Sequence, residues 1–325
     1  MLPYAFPFVI LFLLTLLLSS APISLISFPR QAPGGAILIT GTSSGIGRSA
    51  AIALCARGFV VVATIRQHTP EVLETFRKDA AARGCLASNL HFIRMQVTNA
   101  TERSLAIEYL SKLSPVVAII NNAGVSQDLP LELLSESAIR HVIEVNFFAP
   151  MLLIREAIPL IKRSKGRIIT VGSLAGRLAA PGQAIYAASK HALDGAHDSL
   201  RRELLEFGVS VSMIDPACVQ SAIFSKSVLD ADPSASLSQT DYDKYRRHFE
   251  RRNKLLYWCE YFAADPEHST SADIIHAVMD SRPKARYFSG TYTILSGRAL
   301  SWLAWILPER VLDLATSDQW PGTFT

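Results

Sequence analysis

From Ala36 onward the chain alternates short apolar runs with longer segments whose apolar positions recur at helical spacing. Residues 36–39 form the first run and end at Thr40-Gly41. Residues 49–57 have helical spacing and are closed by Gly58, a residue type that ends helices in a left-handed turn. Residues 59–65 are continuous and β-branched, as in a strand buried on both faces. A third strand is expected at 90–95. Asn99-Ala100-Thr101-Glu102 reads as an N-cap with a capping-box Glu, opening a helix that runs through Leu110. Further strands are expected at 116–120, 167–172 and 209–214, and long helices over about 137–162 and 184–207. This alternation predicts an α/β fold: a doubly wound (Rossmann-type) parallel sheet with helices on both faces. The least regular stretch, about 218–270, holds pieces such as Asp230-Ala231-Asp232-Pro233-Ser234. It reads as a substrate insertion after the sixth strand, where ligand loops sit in open α/β sheets. The expected organisation is an N-terminal segment (1–29), a body (34–298) and an apolar tail (299–325).

The N-terminal segment breaks the alternation. No charged residue occurs from Met1 to Pro29, and residues 8–18 are almost wholly apolar. With its flanks the run exceeds the roughly 20 residues that a bilayer core requires. This predicts an N-terminal hydrophobic helix that anchors the chain in a membrane. A cleaved signal peptide is the rival reading, because Ser19-Ser20-Ala21 resembles a small-residue cleavage site. The absence of a basic leader and the presence of Pro22 count against cleavage. Arg30 and Arg48 follow the apolar run, which places the body in the cytosol by the positive-inside bias. The secretory lumen is the alternative, and a glycan on the acceptor triplet Asn99-Ala100-Thr101 would favour it.

Composition narrows the function classes. Lys plus Arg is 32 and Asp plus Glu is 28, a net charge of +4. Charged residues make up 18% and apolar residues 49%, with a mean hydropathy of +0.23. That excludes intrinsic disorder and argues against nucleic acid as a partner. Cys55, Cys85, Cys218 and Cys259 lie far apart with no CxxC, and are expected to be four ordinary buried thiols without a disulfide framework. The eight histidines form no HExxH pattern, so no metal site is expected. The basic run 244–254 fits a solvated helix face, or contact with anionic lipid headgroups. Trp302-Leu303-Ala304-Trp305-Ile306-Leu307 is too short to span a bilayer and fits core packing or an interfacial element.

Candidate chemistry begins at the first turn. Thr40-Gly41-Thr42-Ser43-Ser44-Gly45-Ile46-Gly47 follows a strand and opens a helix. Glycines there let backbone N–H groups approach a pyrophosphate at the helix N-terminus. An NAD-selective site would place an acid about 20 residues further on, but no Asp or Glu occurs from Arg48 to Pro70. Arg66 stands near that place, and a guanidinium there pairs with the 2′-phosphate of NADP. Tyr186 and Lys190 stand four apart on an expected helix, so they share a face. An ammonium so placed lowers the phenol's pKa and makes it a general acid or base. Ser173 ends the fifth expected strand and faces the ligand crevice.

The ordered set of Gly41-x-x-x-Gly45-x-Gly47, Asn121-Asn122-Ala123-Gly124, Asn146, Ser173 and Tyr186 with Lys190 resembles the short-chain dehydrogenase/reductase family over residues 36–223. Ser199-Leu200-Arg201-Arg202-Glu203-Leu204, Phe207-Gly208-Val209 and Ala285-Arg286-Tyr287-Phe288-Ser289-Gly290 make it most similar to the membrane-associated retinol and hydroxysteroid dehydrogenases. The resemblance implies catalytic roles for Tyr186 (acid/base), Lys190 (nicotinamide ribose), Ser173 (substrate oxygen) and Asn146 (a water linking the lysine to solvent). It implies cofactor contacts from Thr40, Gly41, Ser43, Ser44, Gly45, Ile46, Gly47, Arg66, Val97, Asn122, Ala123, Gly124, Tyr186, Lys190 and Ser221. Three departures stand out: Gln96-Val97 where the family has an Asp, Pro216-Ala217 for Pro-Gly, and Ser221 for a Thr. The expected function is NADP(H)-dependent interconversion of a lipophilic alcohol with its ketone or aldehyde, NAD being the less favoured cofactor. A retinoid, a steroid or a long-chain keto-lipid such as 3-ketosphinganine would be the substrate. A non-catalytic NADP-binding scaffold is the rival class. The resemblance also implies the endoplasmic reticulum membrane as location and pairing of two copies as a homodimer.

Overall fold

The computed structural model describes residues 26–66, 69–113, 115–126, 128–220, 238–261, 263–292 and 295–307. The expected hydrophobic helix before residue 26, Ser221 and the tail beyond Leu307 lie outside the described residues. Seven strands form one parallel sheet: β1 (Ala36–Ile39), β2 (Val60–Ile65), β3 (Leu90–Arg94), β4 (Val116–Asn121), β5 (Arg167–Val171), β6 (Ser210–Pro216) and β7 (Arg286–Ser289), in the order β3-β2-β1-β4-β5-β6-β7. A separate hairpin pairs β8 (Thr291–Tyr292) with β9 (Leu295–Ser296).

Every side chain of β1 is buried, and successive residues feed opposite faces. Ile37 and Ile39 belong to a core shared with α1 (Gly45–Ala56), α2 (Pro70–Ala82) and a C-terminal helix, Thr270–Met279. Ala36 and Leu38 belong to a second core shared with α3 (Ala100–Ser111), the helix Ala149–Ser164 and the long helix Ala184–Leu205. Two apolar layers therefore clamp the sheet, which is why its strands are continuous apolar runs. In chain order, α4 is Glu136–Ile143, α5 Ala149–Ser164, α6 Ala184–Leu205, α7 Gln239–Lys244, α8 Arg246–Tyr261, α9 Thr270–Met279 and α10 Gly297–Ile306.

The span Glu136–Ser164 is long and apolar enough to cross a bilayer by length and composition. Its Leu153, Ile154, Ala157 and Ile161 pack with Ile119 of β4 and Ile168 of β5, so it forms a wall of the core. Within it, Glu144–Phe148 is a π-helical turn between α4 and α5, where the sequence pattern suggests an unbroken α-helix. Helix α2, strand β7 and helix α9 are also absent from the sequence reading. Within the stretch 218–270, where the sequence suggests irregular structure, residues 239–244 and 246–261 form α7 and α8.

The cysteines do not remain separate thiols, contrary to expectation. Cys55 is bonded to Cys85 and Cys218 to Cys259, with Cα separations of 5.0 and 5.2 Å. The reason is tertiary. Cys55 near the end of α1 and Cys85 just after α2 are packed into the same core layer. Cys218, beyond β6, is brought against Cys259 of α8.

The chain enters the fold at the amino ends of the strands. Arg167, fully buried at the start of β5, donates through Nη2 to the carbonyls of Pro29 (2.7 Å) and Asp280 (3.1 Å). Phe28 N also donates to Ser281 O at 2.7 Å.

Candidate active site

The strand order reverses between β1 and β4, and their carboxyl ends open the crevice expected at such a switch point. The glycine turn leaves β1 there. Gly41 and Gly45 adopt φ of +69° and +57°, a region open to glycine. A Cβ on Gly47 would fall 2.3 Å from Asn122 Nδ2, so only glycine lets α1 approach this closely. The Thr40 hydroxyl accepts from the N–H groups of Asn122 and Ala123, each at 3.0 Å. The Asn122 amide donates back to the carbonyls of Thr40 (2.9 Å) and Gly41 (3.0 Å). Thr40 and Asn122 thus latch β1 to β4, and their side chains hold the scaffold. Thr42, which the sequence reading missed as a structural residue, adds a bond from its hydroxyl to Thr64 O at 3.0 Å.

Helix α1 starts without a side-chain cap from Ser44 and without an acid in its first turn. Its first N–H groups therefore present the uncompensated donors and positive dipole end that an anion requires. Arg66 lies exposed directly after β2 and makes no ion pair among the described residues. A phosphate-bearing dinucleotide fits this arrangement. Beyond β3, Val97 O accepts from buried Arg103 (2.8 Å). Asn99 caps α3 as expected, accepting from Glu102 N at 3.1 Å. The Glu102 carboxylate does not close the box on Asn99; it accepts from Gln96 N, one turn of chain earlier. The Pro216-Ala217 turn avoids positive φ, and Ala217 N donates to Ser289 O at 2.8 Å.

The reactive group converges beside this crevice. Ser173 caps the short 3-10 turn Leu174–Gly176, its Oγ accepting from Ala175 N at 3.1 Å, and its hydroxyl lies close enough to act on the ionisation of the Tyr186 phenol. Lys190, one helical turn after Tyr186 in α6, donates from Nζ to Val171 O at 3.1 Å and lies 5.7 Å from the phenol ring centroid. Asn146 sits in the π-helical turn, which re-aims a side chain where a regular helix would not. Its amide accepts from Val125 N and donates to Val125 O, both at 2.9 Å, and donates to Ser189 at 3.1 Å. A methyl group at Gly124 would lie 3.4 Å from Asn146 Oδ1 and 3.8 Å from Lys190 Nζ, so glycine keeps the gap between them open.

The electrostatics differ from the sequence expectation. Burial pushes the Tyr186 phenol up to about 12; the Ser173 hydroxyl opposes the rise, and Asp128 and Asp215 add to it. Burial also brings Lys190 down to about 8, against the pull of Asp215 and Asp194. Desolvation of both groups thus outweighs the attraction that spacing alone suggests. Sequence reasoning also missed Asp128, which accepts from Gln183 at 2.8 Å and tethers the loop after β4 to the start of α6.

A dinucleotide crevice with a serine–tyrosine–lysine group at its edge defines a pyridine-nucleotide oxidoreductase. The chain belongs to the short-chain dehydrogenase family, whose model matches residues 35–232, and is an NAD(P)-dependent enzyme of that family. It is 33% identical over 269 residues to 11-beta-hydroxysteroid dehydrogenase type 2 of Oryctolagus cuniculus, covering 78% of this chain but only 64% of that relative. It is 27% identical to the NADPH-dependent 3-dehydrocapnine reductase of Ornithobacterium rhinotracheale, covering 85% of this chain and 94% of that one. A metagenomic short-chain oxidoreductase solved in complex with NADP superposes with a TM-score of 0.53 at 30% identity, over 58% of this chain and 84% of that chain.

Proposed function

We propose that this enzyme is an NADP(H)-dependent oxidoreductase that interconverts a lipophilic alcohol and its ketone or aldehyde, such as a retinoid, a steroid or a related lipid. The observation that carries the reading is the meeting of Ser173, Tyr186, Lys190 and Asn146 at the carboxyl edge of the sheet beside the glycine turn. Arg66, which makes no ion pair among the described residues, and the lack of any acid between Arg48 and Pro70 support NADP over NAD. When bound, the nicotinamide supplies or accepts a hydride at the carbonyl carbon. Ser173 orients the substrate oxygen and Tyr186 transfers the proton to or from it. Lys190 holds the ribose, and a water in the gap kept by Gly124 connects Lys190 to solvent under the control of Asn146. Ser43, Ser44 and Ile46 line the pyrophosphate turn and Val97 the adenine.

A phenol held near 12 is protonated at neutral pH, the form that gives a proton to a carbonyl oxygen. A long-chain keto-lipid such as 3-ketosphinganine is the second substrate reading. The test is turnover of lipid carbonyls with NADPH by the wild-type enzyme and by Tyr186→Phe. Loss of turnover in the variant supports the assignment, and full turnover would remove Tyr186 from it. NADPH binding by the wild type with no turnover of any carbonyl would point instead to a scaffold.

The same proposal places the enzyme on a membrane through residues 1–29, with the body on its lumenal side. Two disulfides and an exposed acceptor triplet at Asn99 suit an oxidising compartment. Mobility shifts after thiol alkylation and after glycosidase treatment test this. Four free thiols and no glycan would return the body to the cytosol.

A further inference from the structure

Behind the Tyr186–Lys190 pair lies an ionic cluster that the proposed chemistry does not use. Asp215 of β6 is fully buried and is paired with Arg286 of β7. The same Arg286 Nη1 lies 2.7 Å from Asp194 Oδ1, and Arg177 Nε lies 2.9 Å from Asp194 Oδ2. Asp194 is one helical turn beyond Lys190 in α6, and Arg177 directly follows the turn that Ser173 caps. One cluster therefore joins the serine-bearing turn, the helix carrying Tyr186 and Lys190, and the last two strands. Space there is closely fitted: a Cβ on Gly172 would fall 2.3 Å from Asp215 Oδ1, and one on Gly176 would fall 3.5 Å from Asp194 Oδ2.

Its composition is electrostatically specific. Two carboxylates offset two guanidiniums, so the charge of Lys190 stands above a balanced set. Buried ions of this kind are weak contributors to stability compared with apolar packing, which leaves their arrangement to be explained by what they face. Two carboxylates flank the pair: Asp215 Oδ1 stands against Gly172, between Ser173 and Val171, whose carbonyl Lys190 bonds, and Asp194 lies one helical turn beyond Lys190 on α6; Asp128, from the loop after β4, also acts on Tyr186. Arg286 and Arg177 stand behind the two carboxylates, and His197 of α6 is buried within the field of Arg286.

We infer that Asp215, Asp194 and Arg286 are positioning residues that set the protonation of the Tyr186–Lys190 pair without touching substrate. This rests on the acid/base reading of Tyr186. A negative charge behind the pair holds both groups protonated, and a positive one releases the proton. Asp215→Asn removes a carboxylate and leaves Arg286 undercompensated, so both changes act in one direction.

The test is the pH dependence of kcat/KM for carbonyl reduction, whose accessible limb follows the charge of Lys190, brought down by burial to about 8. In Asp215→Asn the ionisation limb moves to lower pH by about one unit. In Arg177→Gln, at a half-exposed position that tolerates substitution, it moves the opposite way by a few tenths of a unit. Arg286→Lys keeps the charge and leaves the limb near the wild-type position. Limbs that coincide with wild type while only the height of the profile changes, or that move in the same direction in Asp215→Asn and Arg177→Gln, would overturn the inference. Should Asp215→Asn fail to fold, Asp194→Asn carries the same sign and replaces it. Tyr186→Phe separates the two levels. Activity in that variant defeats the acid/base reading, whereas an inactive Tyr186→Phe with immobile limbs in the cluster variants defeats the positioning role alone.

Discussion

The disulfide between Cys55 and Cys85 yields a quantitative expectation. The two residues are 30 positions apart. In the chain-entropy treatment, closing a loop of that size removes about 12 cal/mol/K from the unfolded ensemble, or about 3.7 kcal/mol at 25 °C. Unfolding entropy near the midpoint is about 2.1 cal/mol/K per residue, which over the roughly 260 described residues converts that loss to a fall in Tm of about 7 °C. The perturbation is the double substitution Cys55→Ala/Cys85→Ala. Both side chains are buried, so the substitution also leaves small voids, at a cost of about 1 kcal/mol. The assay is a circular-dichroism melt of wild type and variant, each with and without dithiothreitol. Reductant should lower the wild-type midpoint by more than the variant's, because the variant retains only Cys218–Cys259. Four titratable thiols in unfolded, unreduced wild-type protein, or equal shifts with reductant in both proteins, would refute the reasoning.

Other consequences are equally specific. Gly47→Ala forces a methyl group onto Asn122 and opens the β1–β4 latch. It should cost about 2–3 kcal/mol of stability and at least tenfold in NADPH affinity, read by urea unfolding and cofactor fluorescence. Arg66→Ala should weaken NADPH about tenfold to a hundredfold and leave NADH affinity nearly unchanged in parallel titrations. Gly124→Ala meets only ordinary van der Waals contacts, so the fold should survive; kcat should fall about tenfold with KM little changed, because the methyl group fills the gap between Asn146 and Lys190. His197 is buried with neither ring nitrogen hydrogen-bonded, and burial holds it down to about 3. Only the unfolded chain then takes up its proton as pH falls below 6.5, so stability drops from that pH downward, by about 2 kcal/mol at pH 5. His197→Leu should flatten that slope in denaturant titrations at pH 7 and pH 5.

Much of the fold was legible in the linear pattern. The runs 36–39, 59–65, 116–120 and 167–172 announced strands buried on both faces, and the short turns between them imposed a parallel, doubly wound order. The reactive residues were legible too, because Tyr186 and Lys190 are local partners on one helix and the glycines mark a local turn. What the sequence could not decide depends on distant residues meeting. The latch of Thr40 with Asn122 spans two strands that become neighbours only in the sheet. The π-helical turn places Asn146 to bond Val125 and Ser189, partners distant in the chain, and leaves no mark in hydrophobic spacing. The cysteine pairs and the Asp194–Arg286–Asp215 cluster join residues at least 21 positions apart, carried on different elements or on the loops between them. The protonation of Tyr186 followed the same rule: spacing alone suggested a lowered pKa, but burial, a property of the whole packed interior, raises it. Local periodicity and turn chemistry are written residue by residue, whereas desolvation and long-range pairing come into being only when the layers close.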